Sequence, residues 1–528
     1  MRFSEKWLAE KRLNRSLSGF LCARHLLYVT TFLLLSPNVF SQSDQEPKRI
    51  DLKHSDDDYI ERDKETGKDW HRLLGNVWLI HNEIIMKCDS AYYFPDKNQV
   101  NAFSRIHIEQ GDTLNIFGNY LFYDGFTQKA LLNGNVELID KETHLFTDTI
   151  NYDVANKIAM YDDWGRITNG DNTLTSKIGI YLIPQELFHF KHEVKIVNPK
   201  YVMTGDTMDY NTQSETAFFT GPSEMKGDSL YLYCERGWYD TKNDVTQIDK
   251  NAVIDNKDKI IKGDSIYYES QSGYGEAFRN TSIKDTTNSL IINGNYAWYY
   301  KKPEAFTVTD SAVFIQVGKD SLFLHADTIS EVTVADTAGK EYRLMRAFYG
   351  CRIYSKDIQA KCDSLSYSLQ DSVIRLYRNP ILWSAENQLT SDTMAIFTKN
   401  READSMYLYY SAFVTSKVDS LRFNQIKGRT LTGYFKDNKL FRVNIVGNGE
   451  SIYYLVDGDE VVGKNSVKCA SIEILVDKGK ITKIYERQSP EGSIDPPLIT
   501  PDANKHLEGF NWFDAIRPKK ILDIFKYK

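Results

Sequence analysis

Alternating apolar and polar residues run through most of the chain, and this pattern predicts β-strands. The apolar residues and tyrosines keep a fixed distance from a short polar corner: Ile150 and Tyr152 stand two and four places after Asp148. Residues of equal parity share one face of a strand, so these positions predict one apolar and aromatic stripe. A second alternating segment, residues 135–140 in this unit, precedes the corner by about a dozen residues. Each unit is therefore predicted to contain two strands.

The polar corner recurs about every 29 residues, and a fixed period of this kind indicates a repeat architecture. The corner residues of successive units are Asp89, Asn119, Asp148, Lys177, Asp206, Arg236, Asp264, Asn295, Asp327, Asp363, Asp392, Arg429 and Ala470. Most steps beyond Asp327 are longer than the earlier ones, which predicts longer loops on the same scaffold. The fold is predicted to be all-β, an elongated β-jellyroll or solenoid with two facing sheets and about 13 two-strand rungs. At ~4.8 Å per rung, the array is expected to be roughly 60 Å long.

The aspartates at the corner have two interpretations. The five that we single out as structural corners are Asp89, Asp148, Asp206, Asp264 and Asp363. Aspartate favours turns because it bonds its own backbone, whereas a ladder of aspartates could also bind cations. Lys177, Arg236 and Arg429 occupy the same slot, which a metal ladder would not accept, so the corner is predicted to be structural. The preceding residue is small in every unit except that of Glu235, which predicts a tight bend or a close backbone approach.

The composition adds a large core and a targeting segment. The chain has 528 residues, of which 41% are hydrophobic and 13% aromatic. Residues 1–41 are predicted to be a signal peptide, because basic residues precede an apolar run at 26–35. An uncleaved membrane anchor is the alternative, although the apolar run is short for a span. Residues 42–69 are predicted to be a linker.

The net charge limits the classes of binding partner, and the cysteine content indicates the state of the thiols. Without residues 1–41 the chain has 59 basic and 70 acidic residues, a net charge of −11. Nucleic acid is therefore not expected as a partner, because its binding needs a basic surface. The five remaining cysteines are odd in number and scattered, so they are predicted to be small buried thiols. Cys351 and Cys362 are the exception, since they could pair if their strands adjoin.

A search for catalytic and metal-binding motifs finds no nucleophile elbow, phosphate loop, His-Glu-x-x-His or Cys-x-x-Cys. The column formed by Asp148, Asp206 and Asp264 imitates the acids of solenoid enzymes that cleave polysaccharides. Its regularity along the chain favours architecture instead, because a catalytic site is local. The protein is therefore predicted not to be an enzyme and to need no cofactor or metal.

The repeat unit resembles a known family. The fullest copy carries Gly134, Asn135, Val136, Leu145, Asp148, Thr149, Tyr152 and Asp153. Weaker copies begin at residues 75–77 and recur in most later units. This pattern is similar to the OstA-like periplasmic domains of the lipopolysaccharide transport machinery, as in the LptA-like bridge and the N-terminal part of the outer-membrane translocon. The resemblance is good over residues 70–300 and looser up to about residue 485.

The resemblance implies a β-jellyroll, or β-taco, in which two facing sheets enclose an apolar groove for lipid acyl chains. It implies a periplasmic protein that carries lipopolysaccharide for outer-membrane assembly and stacks end to end with other β-jellyroll components or the translocon. The candidates for the groove are Ile150, Tyr152, Met208, Tyr210, Ile266, Tyr268, Leu365 and Tyr367. The alternative functions are a structural or adhesive surface β-solenoid and a polysaccharide-active solenoid enzyme.

The remaining boundaries follow from where the repeat stops. Residues 70–300 and 301–488 are predicted to be the first and the continuing part of the jellyroll. Residues 489–528 are predicted to be a Pro-rich linker and an amphipathic tail of aromatic and basic residues. The tail either docks on a partner or an anionic membrane surface, or it caps the open end of the array.

Overall fold

The computed structural model describes residues 48–496 and 506–526, apart from 63, 66, 288, 319–320, 369, 400–401, 438, 459 and 479. The predicted signal peptide at 1–41 lies outside the described residues. From Arg49 onward the strands form a single antiparallel sheet in one compact unit. The prediction of an all-β fold is thus confirmed. The described helical segments are short 3₁₀ turns at Ile183–Gln185, Asp514–Ile516 and Ile521–Phe525.

The described strands follow one another along the chain with short connections. Their bounds are β1 Asp51–His54, β2 Asp57–Arg62, β3 Asp69–His81, β4 Ile84–Phe94, β5 Gln99–Gln110, β6 Leu114–Asp124, β7 Lys129–Asp140, β8 Thr143–Asp153, β9 Ile158–Tyr161, β10 Gly165–Asn169, β11 Asn172–Ser176, β12 Ile178–Leu182, β13 Leu187–Asn198, β14 Tyr201–Asn211, β15 Thr216–Phe219, β16 Ser223–Gly227, β17 Tyr231–Cys234, β18 Arg236–Asp240, β19 Val245–Asp255, β20 Lys259–Glu269, β21 Tyr274–Asp285, β22 Leu290–Lys301, β23 Glu304–Gln316, β24 Leu322–Ala335, β25 Glu341–Tyr354, β26 Ile358–Ser368, β27 Val373–Tyr377, β28 Ile381–Ser384, β29 Asn387–Thr390, β30 Thr393–Lys399, β31 Glu402–Lys417, β32 Phe423–Lys436, β33 Lys439–Asp457, β34 Glu460–Asp477, β35 Lys480–Arg487 and β36 Glu491–Asp495.

The sheet is divided lengthwise by a bend. We call the two sides of the bend half-sheet A and half-sheet B. Half-sheet A contains the residues that follow each corner, such as 149–153 of β8, and the segments paired with them. Half-sheet B contains the residues that precede each corner, such as 143–147, and the segments paired with those. Twenty strands run through the bend, and sixteen form eight pairs of half-strands, such as β9 with β10. The described residues therefore form 28 layers, each with one segment in either half-sheet.

A β-bulge in every second layer marks the bend. Ser104 and Arg105 have φ angles of 64° and 48°, and together they oppose the single residue Asn119 of the next layer. In the same way, His192 and Glu193 oppose Asp206. Two residues against one shift the register and turn the strand. The polar corner of the sequence is therefore the single residue that lies opposite a pair of left-handed residues. The repeat of about 29 residues in the sequence is the spacing between successive corners of this kind.

The corner aspartates contact the left-handed pairs of neighbouring layers. Arg105 donates to Asp89 over 2.8 Å, and this hydrogen bond lowers the pKa of that carboxyl. The other recorded contacts are Asp206 with His192 at 3.2 Å, Asp264 with Asn280 at 3.0 Å and Asp363 with Arg378 at 3.2 Å. Asp148 lies opposite Gly134 and Asn135. The bonds of these four aspartates thus join neighbouring strands, instead of closing on their own backbone.

The small residue before each corner faces the inside of the bend. A Cβ added at Gly294 would lie 2.4 Å from Val308 Cγ1, and one at Gly428 would lie 2.3 Å from Ile445 Cγ2. Such contacts are far below van der Waals separation. The predicted close approach is therefore confirmed at Gly294 and Gly428, between neighbouring layers, whereas a Cβ at Gly118 would lie an ordinary 3.6 Å from its nearest neighbour.

The predicted length and boundaries need correction. Each unit contributes two layers, not one, so 28 layers at ~4.8 Å extend roughly 130 Å and the expected 60 Å is wrong. The segment predicted as a linker at 42–69 contains β1 and β2, which form the first layer. The linker predicted from residue 489 contains β36, which belongs to the last layer. The proline-rich residues 497–505 lie outside the described part.

The C-terminal tail lies along the outer face of half-sheet B. Leu507 N donates to Gln425, Phe513 N donates to Gln388 over 2.7 Å, and Arg517 donates twice to Gln359. These three glutamines each stand four residues before a corner, on β32, β29 and β26. The tail therefore runs back along the stack, and of the two alternatives the one in which it caps the open end of the array is wrong.

Candidate functional site

The eight groove candidates lie on the inner face of half-sheet A. Six have at most 3% of their surface exposed, namely Ile150, Tyr152, Met208, Tyr210, Ile266 and Leu365. Tyr268 and Tyr367 are partly buried and pack against the same core. This core is one apolar cluster that runs between the half-sheets from Ile50 to Val476. The structure thus places the predicted stripe inside the molecule, over nearly the whole stack.

The interior is packed in this structure. A cavity of about 20 Å³ lies between β20 and β25 and is lined by Ile261, Ile283, Ile292, Tyr299, Phe306 and Phe314. A cavity of this size holds about one water molecule. An acyl chain could enter only if the half-sheets moved apart.

The half-sheets meet again opposite the bend, along a seam that we call the mouth. Five tyrosines of half-sheet A form hydrogen bonds there to half-sheet B or, in one case, to Ile50 just before β1. We call these five residues the tyrosine ladder. Its pairs are Tyr93 with Ile50 O at 2.9 Å, Tyr123 with His81 at 2.6 Å, Tyr152 with Gln110, Tyr181 with Asp140 at 2.7 Å and Tyr210 with Asn172 at 3.0 Å. Four of these side chains are at most 1% exposed, and Tyr93 is 8% exposed.

The ladder explains why tyrosine stands four places after the corner. Its ring fills the apolar interior, and its hydroxyl needs a polar partner when buried. The partner comes from about 41 residues earlier, which is three layers away in the stack for Tyr123, Tyr152 and Tyr181. Burial raises the pKa of Tyr123, Tyr152 and Tyr210. These hydroxyls therefore remain neutral at ordinary pH; that of Tyr152 donates to Gln110, whereas that of Tyr210 accepts from the Asn172 amide.

The sequence search missed the polar partners. One of them is Asn169, which accepts from the Tyr210 hydroxyl at 3.4 Å. Strand segments of half-sheet B end at His81, Gln110, Asp140 and Asn169, each at most 8% exposed. They recur at 29- or 30-residue intervals, as the corners do. A second search for polar residues at the repeat period would have found them.

The ladder stops before the central layers. We call residues 48–211 the latched region and residues 259–354, which contain β20–β25, the central region. Within the described residues, the hydroxyls of Tyr268 and Tyr299 make no hydrogen bond across the mouth. In the next unit Glu331 takes the tyrosine position, four places after Asp327.

Charged residues close the mouth of the central region. Lys259 of half-sheet B forms an ion pair with Glu304 of half-sheet A, and its Nζ lies 4.8 Å from the centre of the Tyr299 ring. Arg343 pairs with Glu331 on the adjacent strand and lies 4.0 Å from Glu304. Burial raises the pKa of Glu331. Buried tyrosine hydroxyls thus bridge the mouth of the latched region, where the Lys141–Glu186 ion pair also crosses it, whereas ion pairs bridge the central region without bonds from Tyr268 or Tyr299.

The five described cysteines are buried free thiols, as predicted. Cys351 and Cys362 nevertheless face each other in register on β25 and β26. Their mutual hydrogen bond and burial raise the pKa of the Cys362 thiol. The strands do adjoin, so this pair is placed where a disulfide could form.

The described residues contain neither a metal-binding cluster nor a membrane-spanning helix. No group of three or more histidine, cysteine, aspartate or glutamate side chains there is arranged to hold a metal ion. The helical segments described in the structure are all too short or too polar to cross a membrane.

The bent sheet with its apolar interior defines a class of elongated β-jellyroll, and comparison with known families agrees with this. Residues 47–206 and 208–317 match the family described as OstA-like protein. The match covers half of the chain, so the protein belongs to the OstA-like family. This is a transport and binding family with functions of the lipopolysaccharide or lipid-transport type. No curated protein matches the sequence.

Proposed function

We propose that this protein carries the acyl chains of lipopolysaccharide between its two half-sheets, for assembly of the outer membrane. The observation that supports this most is the single apolar cluster that continues through the stack from Ile50 to Val476. A continuous apolar interior offers acyl chains similar binding free energy along its length, at about 0.8 kcal/mol per buried CH₂ group. A lipid could therefore move along it without a deep trap.

The mode of binding follows from the packed interior. The half-sheets are covalently continuous at the bend, whereas hydrogen bonds and ion pairs hold the mouth. Parting the mouth would expose the inner stripe, including Ile150, Tyr210 and Ile266, to a lipid chain. The structure then represents the closed state, and lipid would replace contacts between the half-sheets.

The proposed setting is the periplasm, reached by means of the segment 1–41. The proposed partners are lipopolysaccharide and other β-jellyroll components or the translocon, joined end to end through the edge layers. The tail adds a further proposed contact with a membrane surface, because Ile521 and Leu522 are 43% and 71% exposed beside Lys519 and Lys520.

Site-specific photocrosslinking tests the proposal. A benzophenone amino acid at Tyr210 or Ile266, in cells that make lipopolysaccharide, should yield a lipopolysaccharide adduct. The matched control is Asp209, which neighbours Tyr210 but faces outward and contacts His189 at 2.8 Å. Adducts at Asp209 alone, or at none of the three positions, would overturn the proposed binding between the half-sheets.

A further inference from the structure

The central region contains the cavity between β20 and β25 and a cluster of charged residues at the rim of that cavity. Lys259 begins β20 in half-sheet B, whereas Glu304, Glu331 and Arg343 lie in half-sheet A. Lys259 and Glu331 are largely buried, with 12% and 10% of their side chains exposed, while Glu304 is 36% exposed at the rim. The apolar lining and these charges therefore share one site, which we call the central site.

The cluster leaves a buried donor without a partner. Arg343 Nε is buried and has no hydrogen-bond acceptor among the described residues. An unsatisfied buried donor costs free energy that an additional acceptor would recover. Beside it, the Lys259 ammonium lies against the face of Tyr299. Two cations thus point into an apolar site in which one more anionic oxygen could be bound.

Carboxylates of the protein already pair with the cations of the central site, so an anionic ligand must displace them. Glu304 and Glu331 neutralise the two cations, and Asp285 also lines the cavity and has an interaction of its own. Burial disfavours the charged form of Glu331, so this carboxylate is poorly stabilised where it stands. A ligand anion would have to compete with these groups for Lys259 and Arg343.

We propose that the central site binds an amphiphile with an anionic headgroup, which takes Lys259 and Arg343 from their glutamates while its apolar chain enters the cavity. Exchange of these ion pairs breaks the bridge between Lys259 and Glu304, so ligand binding and opening of the mouth are one event. The cation at the latched mouth, Lys141, is 55% exposed, whereas Lys259 is 12% exposed and lies at the cavity. The central site is therefore the position at which lipid is admitted to the interior, an inference that rests on the proposed function.

Binding of dodecyl phosphate to the full-length protein, measured by calorimetry below the micellar concentration, tests this site. Removing the competing carboxylates in the variant Glu304→Gln/Glu331→Gln should tighten binding about tenfold. Glu304→Gln alone, at the exposed rim, should give a smaller gain and serves if the double variant folds poorly. The matched control Glu109→Gln, which removes the partner of Lys87 in an ion pair of 2.7 Å in the latched region, should leave binding unchanged.

Three results would overturn the central site. The first is unchanged or weaker binding in both glutamine variants, as expected of a merely structural ion-pair network. The second is equal binding of dodecyl maltoside, which has the chain without the charge. The third is equal binding of inorganic phosphate, which has the charge without the chain.

The two proposals fail in different experiments. If lipopolysaccharide crosslinks at Tyr210 and Ile266 while the glutamine substitutions leave the affinity for dodecyl phosphate unchanged, only the proposal of the central site is wrong. If dodecyl phosphate behaves as expected and no lipopolysaccharide adduct forms, the transport function is wrong and an anionic-amphiphile site remains.

Discussion

The latched and central regions have the same layers and the same bend, and an ion pair crosses the mouth of each, yet buried tyrosine hydroxyls bridge the latched mouth whereas Tyr268 and Tyr299 make no such bond. In the latched region, rings such as Tyr152 and Tyr210 are almost fully buried and their hydroxyls are paired. In the central region, Lys259 and Glu304 bridge the mouth beside a cavity. Burying a neutral hydroxyl with its partner costs little, whereas burying charges costs desolvation that their attraction hardly offsets. The comparison teaches that a repeat can keep its architecture while varying how easily each segment opens.

Removal of the tail should cause the largest difference in local stability between parts of the stack. Trp383 is fully buried on the outer face of half-sheet B and lies in register with Gln359 and Gln388, both of which bond the tail. Deleting residues 503–528 should expose this face and lower the local stability of β26–β32 by on the order of 4 kcal/mol. Native-state hydrogen exchange should show faster exchange there and no change in the latched region. Uniform loss of protection would mean that the stack does not have separate regions.

Truncation of one core residue in each region should show their difference in packing. Ile150 is fully buried, whereas Ile261 is partly exposed at the cavity. Ile150→Ala should cost about 2–5 kcal/mol, and Ile261→Ala should cost under about 1.5 kcal/mol. Urea unfolding with hydrogen exchange as the local readout measures both. Equal costs would contradict the view that the central region is more loosely packed.

Loss of one ladder hydroxyl should have a smaller effect. Tyr152→Phe leaves Gln110 without its donor at the mouth, so we expect a loss of about 1–2 kcal/mol in the free energy of local opening. Tyr268→Phe is the matched control in the central region, and it should be nearly neutral because that hydroxyl makes no bond across the mouth. If the two variants behaved alike, the ladder would not be what closes the latched region.

The ladder also predicts a dependence on alkaline pH. Burial raises the pKa of Tyr152 and Tyr210 above the ordinary value of 10.0, so their contribution to stability is complete below pH 10. Above it the unfolded chain loses these protons while the folded chain keeps them, so stability falls by up to about 1.4 kcal/mol per tyrosine and pH unit. The urea midpoint of Tyr152→Phe should fall less steeply above pH 10 than that of the unsubstituted protein. Parallel slopes would show that this tyrosine ionises normally.

Much of the fold could be predicted from the sequence because its causes are local. Parity placed Ile150, Tyr152, Met208 and Tyr210 on one inner face, and the corner count located the bulges. The number of layers was misjudged because a strand that crosses the bend looks, in the sequence, like two separate strands. The strands β1, β2 and β36 were assigned to linkers because they lie outside the counted repeat.

The candidate site was predictable only in part. The groove candidates are where the stripe placed them, but a partner at the mouth such as Gln110, which bonds Tyr152, comes from three layers away. Gln359, Gln388 and Gln425 share one position in three successive units, and nothing adjacent in the sequence indicates that a tail more than 80 residues away binds them. The charges of the central site are likewise spread over residues 259–343.

The sequence by itself determined the period, the bend and the inner stripe, since steric limits on left-handed residues and the alternation of strands act within a few positions. Only the tertiary structure decided that tyrosine closes one stretch of the mouth, that Lys259 and Glu304 close another, and that the tail covers the outer face. These contacts join residues from about 40 to more than 150 positions apart. They depend on how bent layers stack, and the pattern of any single strand does not contain that information.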